Sequence, residues 1–247
     1  MKTAKESRKV LITGGTGSVG KALVEAFAAT RILVWFQYRN NATTAKRLHT
    51  DFDAHPIQLD FTKPFVLPVT DFDIIVNNAG INISDVPAHE VTTDAWDRTL
   101  QVNLTAPFQL LKQCLPSMLR KRWGRVINIS SIYGLRAVEG NFPYTVSKHG
   151  LSGLTKTIAK EYAPHGITCN EICPGPIDSE MMREIGSKAV ANTGKSVKDY
   201  LGEVCEEVPA KRMAKPQEVA ALAVFLASQE AAYINGASIP VDGALIA

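Results

Sequence analysis

The chain has 247 residues, 45% hydrophobic and 21% charged, with 27 Lys plus Arg against 24 Asp plus Glu and a net charge of +3. An apolar fraction this large beside so small a net charge excludes intrinsic disorder, and the mild positive balance leaves no footprint for nucleic acid. The longest clean apolar run, Val219 to Ala227, has nine residues, short of the ~20 that a membrane-spanning helix needs.

In chain order, the opening MKTAKESRKV lacks the apolar stretch of a secretory signal. A first strand is predicted at Val10–Thr13 and runs into Thr13-Gly14-Gly15-Thr16-Gly17-Ser18-Val19-Gly20, where a helix over 18–29 begins. Gly15, Gly17 and Gly20 form GxGxxG between strand and helix. Glycines in that place let backbone N–H groups and a helix N-terminus approach a pyrophosphate. A second strand, Ile32–Gln37, leads into Phe36-Gln37-Tyr38-Arg39-Asn40. An acid there would hold a ribose 2′-OH; its absence, with Arg39 available for a 2′-phosphate, favours NADP(H) and leaves NAD(H) as the alternative. A helix over 41–50 and strands at Ile57–Asp60 and Ile74–Asn77 follow, then one long helix over 92–122. Its terminal Arg120-Lys121-Arg122-Trp123 reads as cations offsetting the helix dipole, or as a contact for an acidic partner such as an acyl carrier protein.

The fifth strand, Val126–Ser130, delivers Ser131 to the carboxyl end of the sheet, where α/β proteins bind ligands. The next helix, 144–162, carries Tyr144 and Lys148 at i and i+4, on one face. A free tyrosine has a pKa near 10; an adjacent ammonium stabilises the phenolate and draws that value toward neutrality, which makes the pair an acid–base device. Ser131 is placed to hydrogen-bond a substrate oxygen. Gly150 and Gly153 within this helix cost stability and so imply close approach of a neighbouring helix, across a subunit interface as one option. After a strand at Ile167–Ile172, residues 178–215 read as a long, Gly- and Pro-interrupted insertion suited to a mobile lid, with a pair of surface helices as the alternative. A helix over 216–227 and a strand at Ser238–Val241 complete the pattern.

Short apolar strands alternating with helices specify an α/β protein with a parallel sheet covered on both faces, here as a single domain over 1–247. Cys114, Cys169, Cys173 and Cys205 form no CxxC pair, and the five histidines are scattered. Buried thiols in a reducing cytoplasm, and no metal, are expected.

In these motifs the chain resembles the short-chain dehydrogenases/reductases, in their branch of about 250 residues. The resemblance extends over essentially the whole chain. Besides the glycine loop and Tyr144–Lys148 it rests on Asp60, Asn77-Asn78-Ala79-Gly80, Asn103, Ser131, Pro174-Gly175-Pro176-Ile177 and Val241-Asp242-Gly243. It implies a Rossmann-like, doubly wound sheet of seven parallel strands in the order 3-2-1-4-5-6-7, and a homotetramer or homodimer. It also implies hydride transfer between a nicotinamide and a ketone or secondary alcohol. Tyr144 would be the acid or base and Ser131 would orient the carbonyl. Lys148 would bind the nicotinamide ribose and Asn103 would hold a relay water. Thr13 to Gly20, Asp60, Phe61, Asn78, Ala79, Gly80, Pro174, Gly175, Ile177 and Ser179 would line the cofactor. Ser18 stands where this branch has glycine, and Ser179 where it has threonine. The chain is most similar to 3-oxoacyl-acyl-carrier-protein reductases, which implies a 3-oxoacyl thioester or similar ketone. A small hydroxy acid, diol or sugar alcohol with NAD(H), and a non-enzymatic NADP-binding regulator, are the alternatives. Asn82, Tyr133, Asn141 and residues 181–200 are candidate pocket wall.

Overall fold

A computed structural model describes residues 7–247, apart from Ser84 and Asn192. The strands are β1 (Lys9–Ile12), β2 (Leu33–Tyr38), β3 (His55–Gln58), β4 (Ile74–Asn77), β5 (Gly124–Ile129), β6 (Ile167–Pro174) and β7 (Ser238–Val241). They form one parallel sheet ordered β3-β2-β1-β4-β5-β6-β7, as the resemblance implied. The helices are α1 (Ser18–Ala28), α2 (Ala42–Phe52), α3 (Thr93–Leu100), α4 (Ala106–Lys121), α5 (Phe142–Tyr162), α6 (Glu180–Val190), α7 (Val197–Glu207) and α8 (Pro216–Leu226).

Side chains alternate across each strand, and here both faces are buried. Val10, Ile12, Ile74, Val76, Ile127 and Ile172 meet α1 and α8 in one core. Leu11, Ile75, Val126 and Cys169 meet α4 and α5 in the other. This double burial explains the nearly continuous Val/Ile runs of β4 and β5.

Two expectations change. The helix over 92–122 runs without a gap from Thr93 to Lys121 but is not α-helical throughout: α3 ends at Leu100, a π turn occupies Gln101–Thr105, and α4 begins at Ala106. Pro107 supplies the reason, because it has no N–H to return to the carbonyl of Asn103 four residues earlier. Gly150 admits this turn of its own chain, since a Cβ there would lie 2.6 Å from Leu104 Cδ2. Gly153 has no described atom within 4 Å of its Cβ position. The stretch 178–215, expected as an irregular insertion, holds the helical pair α6 and α7. Gly186 lies at their contact, its Cβ position 3.0 Å from the ring of Tyr200, so this glycine admits packing rather than breaking a helix. Ser179 caps α6, and a Ser196–Asp199 capping box starts α7. Among the described residues no helix is long and apolar enough to cross a membrane, and no cluster of His, Cys, Asp and Glu is arranged to hold a metal ion.

Candidate active site

The carboxyl ends of β1, β4, β5 and β6 form one edge, and the predicted residues gather there. At the end of β1, Gly14 adopts φ +64°, a conformation glycine tolerates without cost. A Cβ on Gly15 would lie 2.7 Å from Phe36, and one on Gly20 would lie 2.0 Å from the carbonyl oxygen of Gly14. Gly17 differs: it is exposed, has φ −76° as the N-cap of α1, and meets nothing closer than 3.5 Å. Packing of the loop on itself therefore requires glycine at 14, 15 and 20, while Gly17 stands exposed at the N-terminus of α1.

Other groups brace this loop. Thr13 Oγ1 accepts hydrogen bonds from the N–H groups of Asn78 and Ala79, both at 2.9 Å. Asn78 Nδ2 donates to the carbonyls of Thr13 and Gly14, at 2.8 and 3.3 Å. The side chains of Thr13 and Asn78 thus hold β1 to β4 rather than facing a ligand. Val19 packs into the core of α1 and α8. Ser18 Oγ accepts from the N–H of Glu180 at 3.2 Å, and Lys21 Nζ lies 3.3 Å from Glu180 Oε1. These contacts join the first turns of α1 and α6. Gln37, which the sequence reading passed over, is buried and organises the loop: its Oε1 accepts from Gly14 N–H at 2.9 Å, and its carbonyl accepts from Gly15 N–H at 2.8 Å. An amide inside an otherwise apolar strand was the available signal.

Past β2, Arg39 is exposed and within electrostatic reach of Asp60. The N–H and hydroxyl of Thr62 both donate to Asp60 Oδ1, at 3.0 and 2.8 Å. The backbone bond is the main cause holding this carboxyl below its usual range; burial opposes it, and the charges of Arg39 and Lys63 add to it. The side chain of Phe61 is buried against Phe65 at 4.7 Å between ring centroids, and its carbonyl accepts from Gln101 Nε2 at 3.2 Å, so only its main chain is left to line a cofactor.

Tyr144 and Lys148 leave successive turns of α5 toward Ser131. Lys148 is buried; its Nζ donates to the carbonyl of Ile129 at 2.8 Å and lies 5.4 Å from the centroid of the Tyr144 ring. Ser131 Oγ accepts from Tyr133 N–H at 3.1 Å and hydrogen-bonds Tyr144. The Cβ position of Gly80 lies 3.5 Å from Asn103 Oδ1 and 3.6 Å from Lys148 Nζ, so three predicted residues converge. Desolvation dominates the electrostatics: burial pushes Tyr144 up to about 12 against the bond from Ser131, and pulls Lys148 down to about 8. The expected lowering of Tyr144 by Lys148 is absent in this state because the ammonium points at Ile129 and the phenol is short of water.

Asn103 sits in the π turn with its carboxamide fully engaged. Oδ1 accepts from Ile81 N–H at 2.9 Å, and Nδ2 donates to the Ile81 carbonyl and to Ser147 Oγ, both at 3.0 Å. The side chain anchors the loop after β4 to α5, so any water held at this position falls to the main chain. After β6, Gly175 passes close to Asp242, 3.0 Å from its Cβ position. Ile177 bridges to Ala214, and Ser179 Oγ accepts from Met182 N–H at 3.2 Å as the cap of α6. Tyr133 meets Tyr144 edge-on at 6.4 Å, and Asn82 donates to Asn141 at 2.5 Å. The Arg120–Trp123 cluster lies at the opposite end of β5 from Ser131. There Lys121 pairs with Asp73 at 2.8 Å, Arg122 donates to the Pro164 carbonyl at 2.9 Å, and Arg8 stacks on Trp123 at 3.7 Å. These cations close a helix end and do not border the site.

A family model described as enoyl-(acyl carrier protein) reductase matches residues 14–245. An acetoacetyl-CoA reductase from Shinella zoogloeoides is 33% identical, over 96% of this chain and 98% of its own. A 3-oxoacyl-[acyl-carrier-protein] reductase from Aquifex aeolicus is 31% identical, over 99% of this chain and 100% of its own. The structure of an actinorhodin polyketide ketoreductase variant with NADPH superimposes with a TM-score of 0.89 at 28% identity, covering 97% of both chains.

Proposed function

Because the chain belongs to the short-chain dehydrogenase/reductase family of NAD(P)-dependent oxidoreductases, we propose that it reduces a 3-oxoacyl thioester or a similar ketone with NADPH. The observation that carries this reading is the convergence of Ser131, Tyr144 and Lys148 on the edge that also holds the glycine cradle of β1. The cradle fits a dinucleotide: Gly15 and Gly20 leave no room for side chains, and the N-terminus of α1 opens beside the exposed Gly17. Arg39, in place of an acid after β2, supports the choice of NADPH over NADH.

When bound, the dihydronicotinamide supplies a hydride. The chain's own residues do the rest. Ser131 orients the carbonyl oxygen, and Tyr144, which keeps its proton at neutral pH, gives it to that oxygen. Lys148 holds the ribose and stabilises the phenolate left behind. The main chain of Asn103, whose carbonyl lacks the Pro107 donor, holds a water that returns the proton. A homotetramer or homodimer in the cytoplasm belongs to the same reading; exposed Phe225 and Tyr233 and the free cysteines support it. The test is NADPH and NADH absorbance decay with acetoacetyl thioesters, ethyl acetoacetate, diketones and sugar ketones. Turnover of the 3-oxo compounds with NADPH is expected; turnover confined to sugar ketones or to NADH would overturn the reading.

A further inference from the structure

Tyr133 stands two residues beyond Ser131, and no step above uses it. Its place is fixed from both sides. The turn Ile132–Gly134 is capped by Ser131, whose Oγ accepts from Tyr133 N–H at 3.1 Å and whose carbonyl accepts from Gly134 N–H at 2.9 Å. Ile132, on one side of Tyr133, is buried. On the other side, the Cβ position of Gly134 lies 2.7 Å from Ser130 Oγ, 3.1 Å from the Lys148 carbonyl oxygen and 3.2 Å from Ser152 Oγ. The turn is therefore pressed against the end of β5 and against α5, and a side chain rooted in it has little freedom to swing away. The Tyr133 ring meets the Tyr144 ring edge-on, with centroids 6.4 Å apart and planes at 88°. The Ser131 hydroxyl that orients the ketone thus also seats Tyr133, and the two phenols stand side by side.

The residue is half-buried, yet among the described residues its hydroxyl has no hydrogen-bond partner, and the oxygen is not sealed from solvent. A buried tyrosine hydroxyl normally finds a partner, and an unmet donor carries a free-energy cost that a ligand can relieve. Burial, the largest cause, raises Tyr133 above the usual phenol range; Arg136 opposes this, and the charges of Glu207 and Asp85 add to it. The hydroxyl therefore keeps its proton at neutral pH and is a donor. A 3-oxoacyl thioester offers it an acceptor, because a single methylene separates the second carbonyl from the ketone. We infer that Tyr133 is a specificity residue, whose hydroxyl donates to the second carbonyl of a 1,3-dicarbonyl substrate while the ketone oxygen lies against Ser131 and Tyr144. This role rests on the proposed reduction of a 3-oxo compound and deepens it. An isolated ketone presents nothing to the Tyr133 hydroxyl, so the residue favours 3-oxo compounds over ketones of similar size. The contact is the same before and during hydride transfer, so it acts on KM rather than on kcat.

The test compares wild type and Tyr133→Phe in NADPH-dependent reduction of ethyl acetoacetate and of 2-hexanone. Tyr133→Phe keeps the ring and, because the hydroxyl bonds nothing in the chain, every internal hydrogen bond, so its Tm should match that of wild type. The ratio of kcat/KM for ethyl acetoacetate over 2-hexanone is expected to fall about fivefold, the worth of one neutral hydrogen bond, and to do so through KM. A second readout needs no turnover: calorimetric titration of ethyl acetoacetate into protein saturated with NADP+, which has no hydride to give. There Tyr133→Phe should weaken ethyl acetoacetate by the same factor. That loss of binding in a protein that reduces no carbonyl would overturn the proposed function while upholding Tyr133. An unchanged ratio with unchanged binding, an equal loss on both substrates, or a wild type that does not bind ethyl acetoacetate would overturn the role of Tyr133. A clear fall in Tm would give the hydroxyl an internal partner and overturn it as well.

Discussion

Gly20→Ala is the most direct perturbation of the phosphate loop. The added methyl would stand 2.0 Å from the carbonyl oxygen of Gly14 and 2.8 Å from its carbon, both backbone atoms. Gly14 cannot retreat easily, because it has φ +64° and its own Cβ position is already 3.0 Å from Ala79 Cα. Either α1 shifts or the loop opens by more than an ångström. Overpacking of this kind costs about 1–3 kcal/mol, and the rigid neighbours place this site at the upper end. At roughly 2–4 °C of Tm per kcal/mol for a chain of this size, the expected loss is about 6–12 °C. Gly17→Ala is the matched control: its φ is −76° and its nearest neighbour stands at 3.5 Å, so its Tm should stay within about 2 °C of wild type. Differential scanning fluorimetry without cofactor reads both, and NADPH fluorescence titration follows. Gly20→Ala should weaken NADPH at least about tenfold, since displacement of a positioning loop by an ångström is costly. Equal Tm losses in the two variants would refute the steric reasoning.

Tyr144→Phe should bind NADPH as wild type does but lose about 10²–10⁴-fold in carbonyl reduction, measured by single-turnover absorbance decay. Arg39→Glu should cost about 10–100-fold in kcat/KM with NADPH, the worth of a charge-assisted hydrogen bond, while NADH kinetics hold or improve. Reduction should be level below pH 8 and fall above it. Lys148 and Tyr144 both act protonated, and burial brings Lys148 down to about 8 while Tyr144 stays near 12, so Lys148 loses its proton first. An acidic limb near neutrality, with no alkaline one, would reverse that sign.

Much of the architecture was legible in the order of residue types. Seven short runs rich in Val and Ile, spaced by helical patterns, dictate a doubly covered parallel sheet, because only strands buried on both faces need to be apolar throughout. The i, i+4 spacing of Tyr144 and Lys148 by itself places them on one face of α5. What the sequence could not hold was anything set by contacts between distant segments. Gly17 and Gly20 look alike in a motif, yet only Gly20 is pressed against backbone. Asn103 and Phe61 sit beside the site, but their polar and aromatic parts are engaged elsewhere. The π turn at Gln101–Thr105 follows from Pro107, whereas its packing against Gly150 required the fold. The charge states of Tyr144 and Lys148 depend on how much water the folded chain excludes. Local pattern determined which elements form and which chemistry this chain carries. The tertiary structure decided which of those groups are braced, desolvated or left facing a ligand, because burial and distance are properties of the assembled layers and not of the chain's order.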